Sequence, residues 1–252
     1  MKKNHYYTSG IIRKLSAPGT RSDIGDLSMS DRITQATATA GYGVSESASK
    51  VLRNTYMLLS LTLFFSAGMT ALAVSLQAPP MHWLLSLGGM IGLLFALQAM
   101  RNSVWALPLV FAFTGFMGWS LGPMISYYLQ SPGGASVVGN ALFGTAAVFM
   151  SLSAYVLTTK KDFSFMGGFL FTGLIIAVLA SIGLIFFQVP ALSLALSAML
   201  VLLAAGYILF DTSRIIHGGE TNYVMATVAL YVDIYLLFTN LLALLGVFSG
   251  DE

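Results

Sequence analysis

Apolar residues in this chain come in long, uninterrupted blocks and do not alternate with polar ones. After a polar opening stretch, runs of about 20 residues recur at 56–76, 83–100, 104–128, 138–157, 165–187, 191–210 and 223–247. A helix rising ~1.5 Å per residue needs about 20 residues to cross ~30 Å of hydrocarbon. Unpaired backbone groups cost several kcal/mol in lipid, so only helices or closed barrels span a bilayer. Runs this long, without a two-residue period, fit helices alone. The pattern therefore predicts an all-α polytopic membrane protein, a bundle of seven transmembrane helices.

The breaks between runs carry turn chemistry: Gln77-Ala78-Pro79-Pro80, Gln130-Ser131-Pro132-Gly133-Gly134, Gln188-Val189-Pro190 and His217-Gly218-Gly219-Glu220. Residues 1–50 show no sustained apolar period and mix basic with acidic side chains, which predicts a flexible tail ahead of a membrane domain at 51–252. The opening stretch also lacks the short apolar core of a cleavable signal, leaving the first apolar helix to direct insertion.

Charge sharpens this reading. Only 9% of the residues are charged, against 56% hydrophobic, whereas a soluble domain carries roughly a quarter of its residues as charges. Of the twelve Lys and Arg residues, eight precede the first run; the others are Arg101, Lys160, Lys161 and Arg214, after the second, fourth and sixth runs. The positive-inside rule then predicts a cytosolic N-terminus and, with seven crossings, a C-terminus on the opposite side, periplasmic for a bacterial inner membrane. There is no cysteine, which excludes disulfides, thiolate metal sites and a thiol nucleophile. No phosphate-binding glycine loop and no Gly-x-Ser-x-Gly turn occurs, and nothing points to a cofactor or to nucleic acid.

Two acidic residues stand apart from the rest. Asp211 falls at the edge of the sixth run and Asp233 about ten residues into the seventh. Intramembrane carboxyls are costly and face the bundle interior, a partner or water. One short turn joins the two runs, so antiparallel packing would bring the carboxyls toward a common pocket, where two acids in contact share a proton. Such a pair suits a proton-operated latch or a transient site for Ca²⁺ or another cation. The plainer reading pairs Asp211 with Arg214 one turn on and leaves Asp233 in a polar contact between helices. Tyr231, Tyr235, Thr239 and Asn240 either line the same interior or join helices. His5, His82 and His217 lack the spacing of a zinc motif. Gly88-xxx-Gly92 and Gly118-xxx-Gly122 allow close helix approach, within the bundle or at a dimer face. Pro108 and Pro123 predict a bent or broken third helix.

Several segments carry a family resemblance: 50–56 (Lys50 to Tyr56), 113–116, 153–162 and 217–223, with Leu230-Tyr231-Val232-Asp233. From Lys50 onward the chain resembles the Bax inhibitor-1 family and its bacterial YccA-like branch. The resemblance implies a seven-helix fold, an inner-membrane location and a pH-sensitive calcium leak whose latch uses aspartates of the sixth and seventh helices, matching Asp211 and Asp233. It also implies a latch arginine near the end of the second helix, for which Arg101 is the candidate. For the YccA-like branch it implies association with the membrane AAA protease FtsH, as a resistant substrate that modulates it, with the tail as a grip. An intramembrane aspartyl protease also places acids on two late helices, but its Gly-x-Gly-Asp motif is missing from Leu230-Tyr231-Val232-Asp233. A non-enzymatic protein is therefore expected.

Overall fold

The computed structural model describes residues 46–187 and 189–249. Residues 1–45, which hold most of the expected tail and His5, lie outside the described residues, as do Gln188 and 250–252. Among the described residues, seven helices are long and apolar enough to cross a membrane. They are α1 (Glu46–Ser75), α2 (Trp83–Met100), α3 (Ala106–Leu129), α4 (Gly134–Thr159), α5 (Gly167–Phe186, entered through a 3₁₀ turn at Ser164–Met166), α6 (Pro190–Ile216) and α7 (Tyr223–Phe248). No strand occurs among the described residues.

Helix boundaries extend the apolar runs where local chemistry permits. Helix α1 starts at Glu46, within the stretch expected as tail, and its first turn carries the Glu46–Lys50 pair at 2.7 Å. That pair is solvent-exposed and contributes little. Helix α6 continues to Ile216, past the end of its apolar run, and carries Asp211 and Arg214 inside the helix. It ends at Gly218, whose φ of +75° is readily available to glycine. The resulting reversal directs the Gly219 and Glu220 amides back to the Arg214 carbonyl at 2.8 and 3.2 Å.

Helix α3 is continuous, so the expected break does not occur. Pro108 falls in its first turn, where a missing N–H costs nothing. Pro123 removes one intrahelical bond, yet Gly122 at the same level fits directly against Ala73 of α1. Tight packing there holds the helix through the proline.

Burial is unequal. Helix α7 packs against α1, α3, α4 and α6, while the main packing partner of α2 is α3 and that of α5 is α6. Accordingly α2 buries only Leu97, and α5 only Leu170 and Ala177, whereas ten residues of α7 are buried. The widely exposed leucine, isoleucine and phenylalanine side chains of α2 and α5 suit lipid as their solvent.

The two small-residue motifs separate by role. A side chain at Gly118 would strike the Ser66 backbone and one at Gly122 would strike Ala73, so this pair seats α3 against α1. A side chain at Gly88 or Gly92 would meet no other helix within 4 Å. Close packing within the bundle is thus the role of the Gly118 motif alone.

Candidate functional site: the carboxyl pair between α6 and α7

Asp211 lies just over a turn before the end of α6, and Asp233 about ten residues, or ~15 Å, into α7. The helices are antiparallel neighbours joined by residues 217–222. Helical side chains lean toward their own N-terminus. Asp211 therefore leans into the bundle and Asp233 leans back toward the turn, which closes the axial offset between them. Their carboxyl groups are close enough to interact directly. A bond between two carboxyls exists only when one of them carries a proton. Counted as carboxylates, the pair leaves Asp233 Oδ2 buried without a partner.

The surroundings differ at the two ends of the pair. Asp233 is 5% exposed, with Leu230, Leu237 and Ile208 among the most fully buried side chains of α6 and α7. On the turn side of the pair, Asp211 meets Arg214, with Nη1 at 3.5 Å from Oδ1. Arg214 also reaches Glu220, at 3.8 Å. Glu220 Oε1 accepts from the Asn222 amide at 2.9 Å, and the Asn222 side chain donates to the Arg101 carbonyl at 2.8 Å and to Asn102 Oδ1 at 3.2 Å. A polar chain thus runs from the buried carboxyl pair to the turn between α2 and α3. The Tyr207 phenol, one turn before Asp211, lies within electrostatic reach of both acids.

The structure brings Asp211, Asp233 and Arg214 together, and Arg101 is elsewhere. Among the described residues, no ion pair joins the Arg101 guanidinium to either aspartate; its backbone carbonyl, and not its side chain, receives the polar chain. The guanidinium beside Asp211 is that of Arg214, as in the plainer sequence reading. Glu220, Asn222 and Tyr207 were not singled out from the sequence as site residues. Asn222 carried a legible signal, because Asn before an apolar run is an N-cap, and its Oδ1 does accept from the Val224 and Met225 amides at 2.9 and 3.2 Å.

The other polar residues of α7 serve different ends. Residues two apart on a helix point about 200° apart, so Tyr231 faces away from Asp233. Its hydroxyl contacts Ser66 Oγ of α1 at 2.6 Å and donates to the Thr114 carbonyl of α3 at 3.2 Å. Thr239 and Asn240 bond to carbonyls of their own helix, at Tyr235 and Leu236. His82 caps α2 by accepting from the Leu84 amide, and His217 sits on the Ser213 carbonyl.

A second polar cluster lies at the junction of α4 and α5. Asp162 Oδ1 accepts from the Ser164 amide at 2.8 Å and its hydroxyl at 2.6 Å, and Ser213 Oγ accepts from the Phe163 amide at 2.9 Å. The hydrogen bonds from Ser164 hold the Asp162 carboxyl below its ordinary value of 3.8. This clasp ties the segment before α5 to α6, two residues beyond Asp211.

For a cation, two carboxylates fall well short of the six to eight oxygens that Ca²⁺ takes. Among the described residues, no group of three His, Cys, Asp or Glu side chains could hold a metal. The pair suits a proton or a transient ion better than a resident metal.

Comparison with known proteins matches this chain to one family. The family model described as "Inhibitor of apoptosis-promoting Bax1" matches residues 48–250. A relative in Escherichia coli K12 named "Modulator of FtsH protease YccA" is 51% identical over 205 residues, covering 81% of this chain and 93% of the relative. An uncharacterized protein of Pseudomonas aeruginosa is 48% identical over 204 residues, covering 81% and 92%. One of Campylobacter jejuni is 37% identical over 213 residues, covering 82% and 92%. The relative in a second Escherichia coli strain is named an inner membrane protein. With most of the chain matched by both the family model and these relatives, this seven-helix membrane protein belongs to the Bax inhibitor-1 family.

Proposed function

We propose that this chain is a non-enzymatic inner-membrane protein that modulates the membrane AAA protease FtsH and is itself a poor substrate of it. The observation that supports the reading is 51% identity over 93% of the length of an Escherichia coli relative whose name calls it a modulator of FtsH protease. The basic residues at the ends of α2, α4 and α6 favour a cytosolic N-terminus, which would place residues 1–45 where a cytosolic unfoldase can engage them. The test is to delete residues 1–40 and follow turnover in membranes containing FtsH, together with co-purification. Altered turnover is expected; unchanged turnover with no co-purification overturns the reading.

A second reading is favoured by the carboxyl pair itself. Asp211 and Asp233 act as a proton-operated latch for a cation leak: one shared proton joins α6 to α7, and its loss leaves two repelling carboxylates that attract a cation or part the helices. Arg214 is the partner that holds Asp211 in the closed arrangement. Ca²⁺ flux into liposomes is expected to depend on pH in the wild type and to lose that dependence in an Asp211→Asn, Asp233→Asn double variant. A double variant with the wild-type profile rules the latch out. Both readings hold together in one protein, since a modulator of a protease can also respond to pH.

A further inference from the structure

The turn between α2 and α3 and the turn between α6 and α7 border an open cavity of about 530 Å³. Asn222 ties them together through its bonds to Arg101 and Asn102. The lining includes Arg101, Asn102, Ser103, Thr221 and Asn222, and no acidic residue contributes to it. Among the described residues, Arg101 has no ion-pair partner. The cavity therefore combines a guanidinium with neutral hydrogen-bonding groups, a set that complements an anion.

Its rim is apolar. Val104, 91% exposed, and Leu107, on the first turn of α3, line the cavity, and Trp105, 64% exposed, stands next to Val104 on the turn that carries Arg101, outside the lining itself. Exposed aromatic and aliphatic side chains beside a cation at a helix end describe the membrane–water interface, where tryptophan sits at headgroup level. A soluble anion would have no use for this shoulder, but a lipid would bury acyl chain against it.

We propose that this cavity binds the phosphate headgroup of an anionic phospholipid, with Arg101 as its charged anchor and the Val104–Trp105–Leu107 shoulder receiving the start of the acyl chains. Basic pockets between transmembrane helices take such headgroups, and one cation near the surface favours an anionic lipid about five-fold over a neutral one. Asn222 lines the cavity and belongs to the polar chain leading to Asp211, so the site adjoins the residue that caps the start of α7 while Arg101 supplies the contact to the headgroup.

The test uses the full chain in nanodiscs, with Trp83 and Trp119 replaced by Phe so that Trp105 alone reports. Bromine-labelled phosphatidylglycerol and bromine-labelled phosphatidylcholine, each as a minor component in unlabelled phosphatidylcholine, are compared as quenchers. The wild-type site should be quenched with an apparent preference of about five-fold for phosphatidylglycerol. Arg101→Gln should reduce the preference to about one-fold, and Arg101→Lys should largely retain it, with thermal unfolding confirming that each variant is folded. Equal quenching by the two lipids, an undiminished preference in Arg101→Gln, or removal of the preference by millimolar inorganic phosphate overturns the assignment.

Discussion

The two faces of α7 bury polar groups in opposite ways. On one face Tyr231 joins Ser66 and Thr114, and nearby Thr227 bonds to the Tyr223 and Thr55 carbonyls at 2.7 and 3.3 Å. These hydroxyls have partners at any physiological pH. On the other face Asp233 has a partner for its contact with Asp211 only when a proton lies between them. In a medium that offers no water, a network satisfied unconditionally fixes helix positions, while one satisfied conditionally lets conditions choose between arrangements. Helix α7 is held to α1 and α3 by hydroxyl bonds that need no titratable proton, while its extensive contact with α6 carries the carboxyl pair.

Substitutions can break this contrast from either side. The largest effect is expected from Gly118→Leu, which drives a side chain into the Ser66 backbone and separates α1 from α3. A loss of about 3 kcal/mol is expected from overpacking, with dispersal of the Tyr231 network. Thermal unfolding in detergent measures it, and a wild-type midpoint would show that the close approach is dispensable. Tyr231→Phe removes the bonds to Ser66 and Thr114 alone and should cost about 1–2 kcal/mol with no change in how stability varies with pH.

Asp233→Asn sharpens the comparison from the other face. The amide keeps the carboxyl shape and donates to Asp211 without needing a shared proton. Stability should remain within about 1 kcal/mol of wild type, while its variation with pH flattens; an unaltered pH profile would place the responsive group elsewhere. The smallest effect belongs to Asp162→Asn in the exposed clasp. Because hydrogen bonds from Ser164 hold that carboxyl below 3.8, its contribution is present above that value and is lost as pH falls through the lowered one. The variant and wild type should therefore differ slightly at pH 7 and converge in strong acid.

Much of this fold was legible because lipid imposes a length on every apolar run. What escaped was any feature set by helix rotation or by residues beyond the runs. Asp211 read as the edge of a span because Thr212, Ser213 and Arg214 dilute the hydropathy there, yet the helix continues to Ile216 and turns the carboxyl inward. Gly88-xxx-Gly92 and Gly118-xxx-Gly122 look alike in sequence, and only the placement of α3 beside α1 distinguishes them. Tyr231 and Asp233 are near neighbours in sequence, and the helical rotation between them assigns one to anchorage and the other to the candidate latch. Arg101 followed the charge pattern correctly as a basic turn residue, but its distance from the acids is a tertiary fact that spacing does not encode.

The central position of α7 bears on how the protein is made. Each helix that packs against it, α1, α3, α4 and α6, leaves the ribosome earlier and enters the bilayer before it. Helix insertion precedes lateral assembly in the two-stage view of membrane proteins, so an incomplete chain holds its four walls without the element that fills them. During that interval Ser66 and Thr55 lack their α7 contacts and Asp211 lacks Asp233, and these contacts form only once α7 is released.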